Sequence, residues 1–238
     1  MSPNEKPTGE RLDETSSKPT DSQSGHERVA SQRKSVLKAH SLIDKVYSWD
    51  NLWTAWRRVR ANKGAHGLDR VTIRAFEQDA ETHLRELQRK LMEDRYEPLP
   101  VRRVYIPKAS NPKQMRPLGI PTVTDRVCQQ AVYQVLCPIF DPLFSNRSFG
   151  FRPGRKAHHA IATAIRDAKE GFRSVVDADI TSFFDRLDHE VVLSLVCTRV
   201  ADGRVIRLIK AFLKAGVSED GIISVPTEGS PQGGVMTP

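Results

Sequence analysis

The sequence has little cysteine, few aromatics and no apolar run that approaches the length of a membrane span. Of 238 residues only three are cysteine, and Cys128, Cys137 and Cys197 share no metal-ligand spacing. A sparse, odd set of thiols with no signal peptide excludes a disulfide-stapled secreted scaffold and fits buried free cysteines in a reducing cytoplasm. A spanning helix needs about twenty consecutive apolar residues, and the amino-terminal stretch is polar, so no membrane role is expected. Residues 1–28 have almost no aliphatics and are rich in Ser, Thr, Pro, Glu and Lys. Such a segment cannot bury enough apolar surface to offset its ordering entropy, and it reads as a disordered tail. Acid is the other shortfall: 37 Lys and Arg stand against 29 Asp and Glu, for a net charge of +8 and a pI near 9.6. That balance points to a polyanionic partner, because phosphate contacts need Lys and Arg gathered on one surface.

What is present is enough chain for one large domain or two small ones. Apolar residues recur at helical spacing across residues 29–60, with a break near 48–51, and again across 73–92. Residues 102–106 read as a strand and 107–117 as a polar connection to a second strand ending near Ile120, a hairpin with a long tip. Helices are expected over 125–140, with Thr124 as N-cap, over 157–169, stopping at Gly171, and near 191–200 and 205–214. Residues 217–225 read as a short hairpin or a strand. No internal repeat appears, and helices mixed with a few strands indicate an α+β fold.

The most informative stretch is VVDADITSFFDRLDH, residues 175–189. Val175 and Val176 supply a β-branched entry to a strand that would deliver Asp179 to a fixed point. Magnesium prefers oxygen ligands and retains waters and substrate phosphates, so Asp179 with the carbonyl of Ile180 could make half of a metal site; taken alone, Asp179 reads more readily as a turn or capping residue. Asp177 lies two residues away on the same strand face, as a second carboxylate or a surface residue, and Asp185 reads as a cap for the next helix. Residues 102–116 hold Arg102, Arg103, Lys108, Lys113 and Arg116 with no acid among them, cations suited to a triphosphate or a template backbone. FRPGR, residues 151–155, places Arg152 and Arg155 on a Pro-Gly turn just before a helix, an arrangement that favours phosphate; the alternative is ion pairing to nearby acids. His158 and His159 are adjacent and so diverge on a helix, which argues against a metal role. In GSPQGG, residues 229–234, glycines permit close backbone approach and Gln232 offers a donor and an acceptor to a sugar or base edge.

The order of four blocks, RPLGIPTVTDR (116–126), SFGFRPGRKAHHAI (148–161), VVDADITSFFDRLDH and GSPQGG, resembles the reverse transcriptases encoded by bacterial group II introns, which also act as maturases. NLWTAWRRVRANKGAHGLDRVTI, residues 51–73, resembles the extension those proteins carry before the fingers. The resemblance implies an RNA-directed DNA polymerase with a right-hand architecture. Its parts would be a helical amino-terminal extension over 29–73, fingers with the basic hairpin over 74–172, and a partial palm over 173–238, with the thumb absent. It implies Asp179 as catalytic carboxylate and metal ligand with Ile180, and Mg2+ as cofactor. Lys108, Arg116, Phe184 and Gln232 would sit at the nucleotide, Phe184 as an aromatic gate beneath the sugar. Arg102, Arg103, Lys113, Arg152 and Arg155 would face nucleic acid. Intron RNA, an RNA template with a DNA primer, and deoxynucleoside triphosphates are the implied partners, with a homodimer allowed. The family's Tyr-x-Asp-Asp turn would follow the Gln-Gly-Gly block and is not reached by Pro238. A truncated, catalytically incomplete piece with exposed apolar palm surface is therefore expected. Two other readings stay open: a non-catalytic RNA-binding splicing factor, and a reverse transcriptase of a retron, a diversity-generating element or a defence system.

Overall fold

The computed structural model describes residues 38–108 and 111–234; the expected disordered tail at 1–28 lies outside them. Its core is helical. In α2 (Trp49–Ala61) the residues at positions 52, 55, 56 and 59 all face inward, the spacing of one helix face, and Leu52 and Trp56 are buried. They meet α4 (Ala80–Met92) through Leu84, Leu87 and Leu91, and α5 (Val123–Phe140) through Val127, Cys128, Ala131 and Val132. Helices α7 (His189–Cys197) and α8 (Gly203–Lys214) close the same core with Leu193, Val205 and Ile209. Short α1 (Ile43–Val46) lies on the core, and the helix expected across 73–92 is in fact two, α3 (Ile73–Gln78) and α4, parted where Asp79 leaves helical geometry at φ −138° and ψ 42°.

One acid joins the two ends of this core. Asp202 caps α8 by accepting from the amides of Arg204 (3.0 Å) and Val205 (3.3 Å), and its other oxygen accepts from Leu42 (2.7 Å) and Ile43 (2.9 Å) at the start of α1. Burial works to raise its pKa, but the amides of Ile43, Leu42, Val205 and Arg204 outweigh it and hold the carboxyl below its usual range.

The sheet runs in the order β2-β1-β3-β4. Strands β1 (Val101–Lys108) and β2 (Asn111–Ile120) pair antiparallel from Arg102↔Ile120 out to Lys108↔Asn111, so pairing runs to the end and the expected long tip is mostly strand. Strand β3 (Val217–Glu219) adds in parallel at Val101, and β4 (Ile222–Ser224) returns antiparallel to it, the short hairpin expected there. At the base of the hairpin the loop 63–69 is held down: Arg102 donates to the carbonyl of His66 (2.9 and 3.2 Å) and Arg126 to that of Ala65 (2.8 Å). Gly67 is needed there, because an added Cβ would lie 2.6 Å from the backbone of Thr122.

Other expectations move. Thr122, not Thr124, caps α5, its hydroxyl accepting from the amide of Asp125 (3.0 Å). Asp188, not Asp185, caps α7. The strand expected through Asp179 does not form: residues 173–180 belong to no helix or strand, and Val175 and Val176 are each 91% exposed. β-Propensity expresses fit to a packed, pleated surface, and no neighbouring strand among the described residues supplies one. Throughout 141–188, which includes α6 (Ala157–Lys169), no residue is buried. Ile161, Ile165, Phe172 and Ile180 are exposed along that stretch.

Candidate nucleotide and nucleic-acid site

Segment 229–234 is stitched between two other pieces of the chain. On one side the amides of Gly229 and Ser230 donate to the carbonyls of Leu187 (2.8 Å) and Phe184 (2.7 Å), and the ring of buried His189 lies 2.6 Å from the Gly229 carbonyl. On the other, the amide of Gly119 in β2 donates to the carbonyl of Gln232 at 2.7 Å. The glycines permit this closeness: a Cβ on Gly229, which has φ +83°, would meet the Asp185 carbonyl at 2.7 Å, and one on Gly119 would meet Pro231 at 2.8 Å.

The result brings Arg116 and Gln232 together although 116 residues separate them: Arg116 Nε donates to Gln232 Oε1 at 2.7 Å. Beside them lies a cavity of about 200 Å³, lined by Arg103, Pro117, Asp185, Glu228, Ser230 and Gln232, among others. Arg103 Nε is buried there with no hydrogen-bond acceptor among the described residues. An uncompensated buried guanidinium nitrogen is costly. Asp185 and Glu228 temper the positive charge of the lining, and neither was singled out for this pocket from the sequence. Half-buried Phe184 contributes its carbonyl to the frame, and its ring packs edge-on against Phe183 at 5.4 Å.

The other basic residues divide into two groups. Lys108 and Lys113 are exposed on the outer hairpin, Lys108 with a long contact to Gln114 (3.4 Å). Arg102 is committed to His66, as described. Arg152 is a correction to the sequence reading: its side chain is 8% exposed and is taken up by the Asp141 carboxylate (2.8 and 3.3 Å) and by the carbonyls of Asp141, Ser145 and Ser148. The neighbouring guanidinium lowers the Asp141 pKa, against the effect of burial. Arg155 likewise donates to Asn146 (2.9 Å) and lies over the ring of Phe149. The ion-pairing alternative thus holds for Arg152, and both guanidiniums tie down carbonyls of the preceding segment 141–148.

Asp179 is exposed, and no hydrogen bond or ion pair from the described residues reaches its carboxylate. Among those residues no three His, Cys, Asp or Glu side chains converge to hold a metal. One carboxylate and the Ile180 carbonyl are the right donor chemistry for a hard divalent cation, but they do not enclose one, so the described residues do not by themselves fit a fixed metal. Nor is any helix among them long and apolar enough to cross a membrane.

Residues 106–238, more than half of the chain, match the family model described as reverse transcriptase (RNA-dependent DNA polymerase), a family that uses divalent metal ions. Protein YkfC of Escherichia coli is 36% identical over 208 residues, which cover 85% of this chain and 54% of that protein. The group II intron-encoded protein LtrA of Lactococcus lactis is 39% identical over 191 residues, covering 79% of this chain and 31% of LtrA. The chain thus spans about half of one relative's length and about a third of the other's. Among solved structures, a partial Cas6-RT-Cas1–Cas2 complex shares the fold at a TM-score of 0.54 and 20% identity, over 83% of this chain and 32% of that one. With the motif order of the sequence and the α+β architecture in agreement, the chain belongs to the reverse transcriptase family.

Proposed function

We propose that the protein to which this chain contributes is an RNA-directed DNA polymerase with a maturase role, and that the hairpin β1–β2 and segment 229–234 form the nucleotide-facing wall of its fingers and palm. The contact between Arg116 and Gln232, beside the unsatisfied Arg103 and the Phe184 turn, is the observation that carries this reading. In it, Arg103 and Arg116 meet a triphosphate, with Lys108 at the outer edge, and Gln232 meets the sugar or base edge. Magnesium is the divalent ion, with Asp179 and the Ile180 carbonyl among its oxygen ligands in a protein of the relatives' full length. Lys113 and Lys108 face the template backbone, and intron RNA, template RNA and DNA primer are the polyanionic partners. Arg102, Arg152 and Arg155 hold loops and stand behind that surface.

Phe184→Val in a protein of the relatives' full length is expected to admit ribonucleotides, raising their use relative to deoxynucleotides by about tenfold or more, since one missing steric contact is worth roughly 1–3 kcal/mol. Primer extension on an RNA template with each nucleotide set measures this; an unchanged ratio would remove Phe184 from beneath the sugar. The same assay decides the main reading, for absence of any extension by the full-length protein would leave a non-catalytic RNA-binding splicing factor, which the open surroundings of Asp179 would then favour.

RNA binding offers a second measure. If Lys108 and Lys113 neutralise about two phosphates, a slope near −0.7 per phosphate on single strands predicts that a fourfold rise in salt weakens binding by about sevenfold. Replacing Lys108 and Lys113 by Ala should flatten that slope, whereas Arg152→Ala should lower the melting temperature and leave the slope alone. Filter binding or anisotropy across a salt series distinguishes these outcomes, and a flat dependence in the unmodified protein would rule out the basic hairpin as the RNA surface.

A further inference from the structure

His189 ends the motif that carries Asp179 and Phe184, yet neither its charge nor its metal-binding capacity enters the proposed function. It is buried, 5% exposed, at the first position of α7, where the side chain of Asp188 takes up the amides of Glu190 and Val191. Its Nε2 lies 2.6 Å from the Gly229 carbonyl. A carbonyl oxygen only accepts, so Nε2 carries the proton and donates. Gly229 is the residue whose positive φ and close approach to Asp185 leave no alternative side chain, and whose amide donates to Leu187. The ring therefore fixes the carbonyl on the far side of the same peptide segment. Three residues further on, the Gln232 carbonyl receives Gly119 and its side chain receives Arg116.

We propose that His189 is a positioning residue for the nucleotide pocket: it anchors the Gly229 carbonyl and so sets where Gln232 and Arg116 stand, a role that rests on the pocket reading given above. The anchor sits on a helix packed into the core through Leu193, so the glycine-rich segment takes its rigidity from α7 and not from its own sequence. Without the donor, the Gly229 carbonyl is left unsatisfied beside a segment of high intrinsic freedom.

The test compares His189→Ala, His189→Gln and Gln232→Ala in a protein of the relatives' full length. For His189→Ala, the KM for deoxynucleotide should rise about tenfold while kcat changes little, the pattern of a lost binding geometry equivalent to one buried hydrogen bond. His189→Gln, which keeps an N–H donor, should recover most of that loss, and Gln232→Ala should raise KM at least as much. Amide exchange gives a readout independent of activity. In His189→Ala the amides of Gly119 and Ser230 should lose protection while those of α2 and α5 keep theirs, an outcome that general unfolding would not produce. A raised KM in Gln232→Ala with an unchanged KM and unchanged Gly119 protection in His189→Ala would overturn the His189 role and leave the pocket reading standing. Unchanged KM in Gln232→Ala and His189→Ala alike would overturn the pocket reading, and the positioning role with it.

Discussion

Asp179→Ala in a protein of the relatives' full length is expected to reduce primer extension by about a thousandfold or more, because a catalytic metal's charge stabilisation is worth several kcal/mol and each 1.36 kcal/mol is tenfold in rate. RNA binding should stay within about twofold, since Asp179 supplies no cation to the phosphate contacts that dominate that affinity. The 238-residue chain alone should extend no primer. Its Asp179 is exposed on an unpaired segment, and no cluster of three metal-binding side chains exists among the described residues, so no catalytic ion can be fixed there. A metal held by one carboxylate and a carbonyl keeps most of its waters and has no defined geometry. Robust synthesis by the chain alone, or by the full-length Asp179→Ala protein, would overturn the assignment of Asp179. The measurement is extension of a labelled primer on an RNA template with deoxynucleotides and magnesium.

The second large effect concerns the fold. Asp202→Ala removes an N-cap, worth about 1 kcal/mol, and strands the amides of Leu42 and Ile43, for a total loss of about 3 kcal/mol. At this size that corresponds to a fall in melting temperature of about 6–12 °C. Asp202→Asn keeps one carbonyl oxygen and should lose roughly half as much. The folded-state pKa of Asp202 is depressed, so its contribution is present above the unfolded value of about 4 and fades as pH falls through the lower folded value. The stability gap between the unmodified chain and Asp202→Ala should therefore be constant near neutral pH and narrow in acid. A gap that stayed constant to pH 2, measured by chemical denaturation at several pH values, would show that the carboxylate charge is not what holds α1 to α8.

The helices were legible because their inward residues recur at one period and their ends carry recognisable breakers. Positions 52, 56 and 59 in α2 and 205, 209 and 212 in α8 specify a buried face whatever they pack against. Asp79 was not legible as a helix break, since nothing in local composition separates it from the acids on either side. Thr122 and Thr124 are both competent caps, and the choice between them depends on which one the β2 strand delivers to the helix start. The valines at 175 and 176 read as a strand for the same reason that the helices read as helices, but a strand takes its hydrogen bonds from another segment and a helix takes them from itself.

The candidate site shows the same division. The sequence by itself determined which residues are chemically equipped for phosphate and nucleotide contact, since Arg, Lys, Gln and Asp carry their donors, acceptors and charge wherever they lie. It also determined the family, through the order of its motifs. Only the tertiary structure decided which of these groups remain available. Arg152 and Arg102 have the same chemistry as Arg103, yet carbonyls and a carboxylate engage the first two while Arg103 Nε is buried with no acceptor among the described residues. His189 carried no signal beyond its place at the end of a motif, because a single buried hydrogen bond to a carbonyl 40 residues away leaves no periodicity to read. Arg116 and Gln232, 116 residues apart, meet because a glycine-rich segment can lie against β2 without a Cβ in the way. Composition and periodicity are properties of neighbours along the chain, whereas the pairing of a donor with its acceptor depends on long-range closure, and that closure is what sorts cations that hold the fold from cations left to meet a ligand.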